Sequence, residues 1–323
     1  MRRRRFLRAL PATAALAAGC LARDSPDDAE NGTNGTDATE TTVDDWTENI
    51  EGRDPDGFPP RGSDHVDTVV WYRENRDAPI ALEPSAAEGD LPVAEFAFAL
   101  RNDTDQTFST NFYDWSLSKR VDGEWFRVAP RMVPEPLMSL APGEDHRWTL
   151  AASSERPDPK TDSVADEGDV SVRGLGAGTY AFAVDGWFED GDHEQQVVFA
   201  ARFELAGDPV ALTPSAAVRE AARDGDVVTV QADGSDHEDA REATYVLERV
   251  EDPAEEPREL ITEQAIRRWP LCDALAHVEA GVRTVRVEST TGTVPAFGVH
   301  DDAPPIRYGG DAFRASVEDP NRE

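Results

Sequence analysis

The alternation of apolar and polar residues in the middle of the chain predicts β-strands. Between residues 64 and 207, every second residue is apolar in runs such as VAEFAFAL (93–100), TYAFAVDGWF (179–188) and VVFAARFEL (197–205). One apolar and one polar face suit an antiparallel sheet that packs on one side and meets water on the other. Turn sequences such as NDTD, VDGE and APGED separate the runs. Several strands at this spacing predict a β-sandwich.

Residues 208–323 mix helix and strand signals. Thr213, Pro214 and Gly225 occupy the cap, first-residue and stop positions of a predicted helix, and two shorter helical pieces are predicted at 262–268 and 271–280. Strand patterns follow at VVTVQ (227–231), ATYVLERV (243–250) and VRTVRVES (282–289), and we expect the last to pair with TVPAFGV (293–299). The alternation predicts a small α+β domain with helices on one face of a sheet, of no family that we recognise.

Residues 1–19 have the layout of a removable export signal. A basic start is followed by an apolar stretch, residues 9–18, that is too short to span a bilayer. Arg3, Arg4, Phe6 and Leu7 belong to a pattern, RRxFLR, that resembles the twin-arginine signal for exporting folded proteins. LAAGC at 16–20 resembles a lipobox, although its leucine lies four residues before the cysteine, where three is usual. This resemblance implies a lipid on Cys20. Two motifs in this order disfavour the alternative of a basic nucleic-acid-binding arm.

Residues 20–63 are predicted to form a disordered tether. The segment is acidic and rich in threonine and glycine, and it lacks the apolar residues that a core needs. Three asparagines match the NxT glycosylation pattern and are candidate acceptors: Asn31 and Asn34 in the tether and Asn102 beyond it. The sequence thus predicts a folded body held away from a membrane surface.

The charge balance is strongly acidic. The chain has 65 Asp and Glu against 32 Lys and Arg. Loss of the five leader arginines leaves 27 of these cations and a net charge of −38. Self-repulsion of this size destabilises a compact state in dilute buffer, whereas molar salt screens it over about 3 Å. Acidic residues throughout the chain and only two lysines, Lys119 and Lys160, resemble the proteome of a halophilic archaeon. We expect no nucleic-acid partner, because the sequence has no phosphate-neutralising patch.

The sandwich region resembles the prokaryotic immunoglobulin-like domains of exported lipoproteins. The resemblance rests on DGEWFRV (122–128), LAPGEDHRWTL (140–150) and GLGAGTYAF (174–182), in which Leu175 and Tyr180 stand where such folds place a tyrosine at a sheet corner. It covers less than half of the chain. The resemblance implies display or interaction and supplies no catalytic residue.

Tryptophan positions suggest one surface contact. Five tryptophans, at positions 71, 115, 125, 148 and 187, lie in the sandwich region, and we expect most to be core residues. Trp187 alternates with Phe188, so it should point outward beside Asp185. There it could stack on a sugar or, as we prefer, contact the second domain.

No cofactor, metal or catalytic motif is predicted. Cys272 and His277 lack the partners of a blue-copper site, and Cys272 is expected to be a buried core residue between Leu271 and Leu275. The other histidines lack zinc spacing, the acidic loops lack the calcium pattern, and GxSxG, phosphate-loop and HExxH motifs are absent from the sequence.

The leading hypothesis is a lipid-anchored protein on the extracellular face of the cell membrane. It would act as an interaction or structural module of the envelope, with an unknown envelope protein or glycan as partner and the membrane engaged through Cys20. The alternative is a carbohydrate-binding protein or hydrolase with a carboxylate site between the two domains.

Overall fold

The computed structural model describes residues 57–58, 66–157, 166–189, 196–234, 238–292, 295–298 and 303–318. By its contacts the chain divides into two compact units, 1–40 and 41–323, and all described residues lie in the second. The predicted signal and lipid-attachment residues, Arg3, Arg4, Phe6, Leu7 and Cys20, and the candidate acceptors Asn31 and Asn34 lie outside the described residues. Within the described part of the chain, no helix has the length and apolar character needed to cross a membrane.

Two β-sheets form the sandwich that the alternating pattern predicts. Its strands are β1 (Val66–Trp71), β2 (Ile80–Pro84), β3 (Glu88–Asp90), β4 (Val93–Asn102), β5 (Phe108–Val121), β6 (Glu124–Ala129), β7 (Met138–Leu140), β8 (Asp145–Ser153), β9 (Asp169–Val172), β10 (Gly178–Phe188) and β11 (Gln196–Ala206). The large sheet has the order β1-β11-β10-β5-β6, with β3 paired to β11 and β7 to β5. The small sheet has the order β2-β4-β8-β9. Most pairings are antiparallel, but three run parallel: β1 with β11, β3 with β11, and β8 with β9.

Aromatic side chains fill the space between the two sheets. Phe98 of the small sheet stacks on Phe182 of the large sheet with ring centroids 4.3 Å apart, and Trp148 lies 5.9 Å from Phe182. All three are fully buried. The alternating residues of the sequence therefore meet across the sandwich, as predicted.

The C-terminal part combines one sheet with two short helices. Its elements are β12 (Val218–Asp224), β13 (Val227–Ala232), β14 (Arg241–Val250), β15 (Arg258–Glu259), α1 (Thr262–Ala265), α2 (Leu271–Ala276), β16 (Thr284–Thr291), β17 (Ile306–Tyr308) and β18 (Asp311–Glu318). The strand order is β12-β13-β16-β14-β18-β17-β15. Buried Tyr245, Val287, Leu275 and Phe313 belong to its separate core. The predicted fold class is confirmed: the protein is mainly β, with a β-sandwich followed by a small α+β part.

The helix predicted from Thr213 to Gly225 is wrong, because this segment contains strand β12. The strand forms a hairpin with β13 around Gly225, whose φ of 62° suits a tight turn. Before it, the backbone N–H and hydroxyl of Ser215 donate to the Asp273 carboxylate on α2, at 2.6 and 2.8 Å, which holds the chain outside a helix. Apart from Val218, the β12 side chains are exposed. Cap signals without an apolar stripe were therefore misleading.

The predicted pairing of residues 282–289 with 293–299 is not found among the described residues. β16 lies between β13 and β14, so both of its edges are already occupied. The two later helices do form, although each is shorter than predicted.

The outer face of the large sheet carries an aromatic cluster that includes Phe58. The Phe58 ring is fully buried, with its centroid 4.7 Å from that of Trp71 and 5.3 Å from that of Trp125. The Arg202 guanidinium lies 3.9 Å from the Trp71 ring centroid and shields the cluster. Phe58, which the sequence pattern placed in the tether, therefore packs on the sandwich.

A candidate arginine-lined cleft

A buried ion pair joins the sandwich to the C-terminal part. Lys119 lies on β5 and Glu263 on α1, and the ammonium donates to Glu263 Oε1 at 2.5 Å. The same oxygen accepts from the backbone N–H of Gly176 at 3.3 Å and from the Tyr180 hydroxyl at 3.4 Å. Both side chains of the pair are nearly inaccessible, with 11% and 4% of their surface exposed. We call this contact region the seam.

Arg267 extends the seam with bonds to backbone carbonyls. Its guanidinium donates to Glu263 O at 2.5 Å, to Gly174 O at 3.3 Å and to Arg173 O. Burial, followed by the nearby Glu263 carboxylate, raises the pKa of Tyr180. Tyr180 therefore stays protonated, and its hydroxyl also donates to Gly176 O at 2.8 Å, four residues upstream, at the sheet corner where the sequence predicted a tyrosine.

An open cleft of about 1280 Å³ lies beside the seam. One wall is the β5–β6 hairpin and the loop after it, and the other is formed by β15, α1 and β17. Gly57, next to the buried Phe58, also lines the cleft. The wall residues come from distant parts of the sequence, so only the folded chain creates this site.

The charge balance of the cleft is the reverse of that of the chain. Its lining includes six arginines, Arg127, Arg131, Arg258, Arg267, Arg268 and Arg307, but only four acidic residues, Asp122, Glu124, Glu256 and Glu259. In the whole chain, acidic residues outnumber basic ones by 65 to 32. A local excess of guanidinium groups makes the cleft a place where an anion is attracted instead of repelled.

Two of these guanidiniums, those of Arg258 and Arg268, form neither a salt bridge nor a side-chain hydrogen bond within the described ranges. In contrast, Arg127 lies 3.5 Å from Asp114 and Arg307 lies 3.5 Å from Glu259. Burial, followed by the charges of Arg258 and Arg131, lowers the pKa of Arg268 to about 10. Arg268 remains charged near neutral pH. Together with Arg258 and Arg131 it forms a group of positive charges that a bound anion would stabilise.

The cleft also brings together two sheet edges. β6 is the last strand of the large sheet, and β15 is the last strand of the C-terminal sheet. Across the cleft, the Gln264 amide of α1 donates to the backbone carbonyl of Arg127 at 2.9 Å. Polar backbone groups of β6 therefore face the cleft, where a side-chain amide already bonds to one of them.

Two carboxyl groups lie close together on the outside of the sandwich near this cleft. Burial, followed by the charge of Asp114, raises the pKa of Asp185 to about 6, although Arg127 opposes the shift. Asp185 is half-buried on β10, and Asp114 is partly exposed on β5.

The structure places Trp187 half-buried on β10, opposite Ser109 of β5. Its outward direction agrees with the alternation, since Phe188 is buried. Among the described residues Trp187 has no hydrogen bond or ring contact with the C-terminal part, so the preferred contact with the second domain is not found.

Asn102 is not a surface residue. Its side chain is fully buried, and its amide nitrogen donates to Gln106 O at 2.8 Å and to Leu140 O at 2.9 Å. Its Oδ1 atom accepts from the Thr104 hydroxyl at 2.5 Å. The folded chain therefore buries the candidate acceptor Asn102 and does not present it to a glycosyl donor.

Cys272 is buried, as the sequence predicted, with 1% of its surface exposed. Burial, followed by the charge of Asp273, raises the pKa of its thiol to about 12. A thiol with that pKa is a poor nucleophile near neutral pH. The described residues contain no group of three or more His, Cys, Asp or Glu side chains placed to hold a metal ion.

Sequence reasoning missed the cleft arginines and the seam. Arginines scattered from position 127 to 307 show no spacing pattern, and Glu263 occupies the first turn of a predicted helix, where acidic residues are common. Lys119 offered one signal, because it is one of only two lysines and lies within an apolar-alternating strand.

Comparisons with known proteins add little. No family model matches the chain, and no curated protein matches it. One matching solved structure is the E. coli chaperone DraB, which is 15% identical, with a TM-score of 0.22. The match covers 46% of this chain and 66% of the DraB chain. At that TM-score the likeness carries no argument about fold or function.

Proposed function

We propose that this protein is a lipid-anchored cell-surface protein of a halophile that binds an acidic segment of a partner polypeptide in the arginine cleft. The observation that carries the proposal is the reversed charge of the cleft, with Arg258 and Arg268 lacking a carboxylate partner among the described residues. The resemblance of residues 1–20 to a twin-arginine signal followed by a lipobox supports the surface location.

Arginine is the suitable side chain for this task in concentrated salt. At molar ionic strength, attraction between charges fades within about 3 Å, so long-range steering contributes little. Recognition then depends on direct contact, and the guanidinium fork binds a carboxylate through two parallel hydrogen bonds.

A polypeptide fits the cleft better than a glycan does. The cleft lies between the edge strands β6 and β15, and an extended chain binds such edges through its backbone. Met132 and Leu137, which are 58% and 70% exposed, lie in the loop that follows the cleft residue Arg131. Of the aromatic residues in the lining, Trp125 is buried and Phe126 is only partly exposed, which leaves little ring surface for a sugar.

The binding test uses fluorescein-labelled poly-L-glutamate and the mature chain carrying Cys20→Ser, in molar KCl. Fluorescence anisotropy should show saturable binding, and Arg258→Gln combined with Arg268→Gln should weaken it by at least roughly tenfold, because charge-assisted hydrogen bonds are lost. Arg219→Gln with Arg223→Gln is the matched control, since these exposed arginines of β12 lie outside the cleft lining.

Equal losses in the two double variants would show that binding depends on overall charge and would overturn the proposal. Tighter binding of oligogalacturonate than of poly-L-glutamate would overturn the choice of a polypeptide ligand. The anchor is tested separately: Cys20→Ser should release the protein from the membrane fraction into the medium, and unchanged fractionation would exclude the lipid.

The alternative of a hydrolase has one observation in its favour, the Asp185 carboxyl group near Asp114 and Trp187. A carboxyl group with a raised pKa is a candidate general acid. If this pair hydrolyses glycosides, Asp185→Asn should abolish release of reducing sugar from an acidic polysaccharide while folding is retained. Equal release by the wild type and the variant would remove the alternative.

A further inference from the structure

Gly57 and Phe58, the first residues that the structure describes, lie at the rim of the cleft. Gly57 lines the cleft, and the next residue, Phe58, is fixed between Trp71 and Trp125 on the outer face of the large sheet. Because the Phe58 ring is fully buried, it holds the end of the preceding segment beside the arginines. The chain that leads into Gly57 must therefore leave from this rim.

That preceding segment is acidic. Residues 44–56 read DDWTENIEGRDPD and contain six acidic residues, Asp44, Asp45, Glu48, Glu51, Asp54 and Asp56, against one arginine. An extended chain advances at most about 3.6 Å per residue, so the Cα atoms of Asp54 and Asp56 can lie no farther than about 11 Å from that of Gly57, and the Cα atom of Glu51 no farther than about 22 Å. Several carboxylates are thus tethered to a residue that lines the same cleft as Arg258 and Arg268.

We propose that residues 44–56 bind in the arginine cleft of their own chain and compete there with the external acidic ligand. This inference rests on the proposed function, because it assigns a resident competitor to the same site. Three features support it: the position of Gly57 at the rim, the fixed Phe58, and the opposite charges of segment and cleft.

A tethered competitor is effective even when its own affinity is low. A short flexible connection gives an effective concentration of about 1 mM. If the free segment bound with a Kd of about 0.1 mM, the cleft would be occupied roughly nine-tenths of the time, and an external ligand would bind about tenfold more weakly. An external ligand would then need about tenfold higher concentration to reach the same occupancy.

The chain offers a matched control for the competition test. Residues 24–40 also contain six acidic residues, Asp24, Asp27, Asp28, Glu30, Asp37 and Glu40, with the same division into four Asp and two Glu. The near variant replaces the six acidic residues of 44–56 by Asn and Gln, and the far variant does the same in 24–40. Both lose the same charge, but only the near variant removes the proposed competitor.

Binding of fluorescein-labelled poly-L-glutamate to the mature chain carrying Cys20→Ser provides the first measurement. The near variant should bind about tenfold more tightly than the parent chain, and the far variant should bind within about twofold of it. Equal tightening in both variants would overturn the inference and indicate general charge repulsion. If neither variant tightens binding while the Arg258→Gln, Arg268→Gln double variant loses it, this inference fails and the proposed function stands.

The second measurement needs no ligand, so it remains decisive if poly-L-glutamate does not bind. Residues 21–56 contain two trypsin sites. Arg23 lies directly before the far segment, 24–40, and Arg53 lies in the near segment, 44–56. Trypsin should cleave after Arg53 at least about tenfold more slowly than after Arg23, because a bound segment is protected. The Arg258→Gln, Arg268→Gln double variant should expose Arg53 and leave Arg23 unchanged. An Arg53 cleavage rate that does not respond to this variant would overturn the inference.

Discussion

The interior of the sandwich and the seam are both closed to solvent, but they are built from opposite kinds of side chain. Between the sheets, Phe98, Trp148 and Phe182 meet ring to ring. At the seam, Lys119 and Glu263 meet as charges, with backbone groups completing their hydrogen bonds. The first interface gains from removing apolar area from water, whereas the second must first overcome the cost of removing charges from water.

This difference determines how each interface fails. An apolar core accepts changes that conserve volume, because no single atom pair dominates it. A buried ion pair adds little net stability, but removing one partner leaves an uncompensated charge. The seam should therefore tolerate fewer kinds of substitution than the sandwich interior.

Removing salt should have the largest effect on stability. It tests whether repulsion between the acidic surface residues outweighs the stabilisation from the core and the seam. The acidic surface repels itself more strongly as screening falls, while the buried Lys119–Glu263 pair is screened little at any salt concentration. We expect dialysis from molar KCl into dilute buffer to abolish the near-UV circular dichroism. Retained near-UV dichroism would show that the core and the seam together outweigh the repulsion.

Lys119→Met tests the seam directly. The substitution leaves the Glu263 carboxylate buried without its cation, and we expect a loss of about 3–5 kcal/mol in the free energy of unfolding. Urea unfolding in molar KCl, followed by tryptophan fluorescence, measures it. Phe182→Ala in the sandwich interior should cost a similar amount through its cavity, since both side chains are buried.

The comparison is sharpened by adding Glu263→Gln to Lys119→Met. The neutral amide keeps a carbonyl oxygen that can accept from the Gly176 N–H and the Tyr180 hydroxyl, while the stranded charge is removed. The double variant should therefore recover more than half of the loss. No recovery would mean that Lys119 stabilises the seam by packing and not by charge.

Much of the sandwich could be predicted from the sequence, because period-two alternation directly encodes which side chains face the core. The helix prediction at Thr213 was wrong because cap residues are local signals. The contact of Ser215 with Asp273, which holds the chain outside a helix, joins residues that are far apart in the sequence. The cleft could not be predicted, because its arginines come from three strands, the loop after β6 and the connection between α1 and α2, which the sequence does not relate to one another. The buried Phe58 was hidden by the polar composition around it.

Asp185→Asn should have the smallest effect on the free energy of unfolding. It tests whether an ionised carboxylate on the outer face of the sandwich also destabilises the fold. The pKa of this half-buried carboxyl group rises from 3.8 to about 6, through burial and then Asp114, with Arg127 opposing. The bound proton therefore stabilises the folded state below about pH 4, and this contribution is lost as the pH rises through 6. The asparagine variant should be more stable than the wild type by about 1 kcal/mol near pH 7, after allowance for partial exposure, and no more stable near pH 4. Urea unfolding at the two pH values measures the difference, and parallel pH profiles for wild type and variant would show that the sandwich face holds this charge without cost.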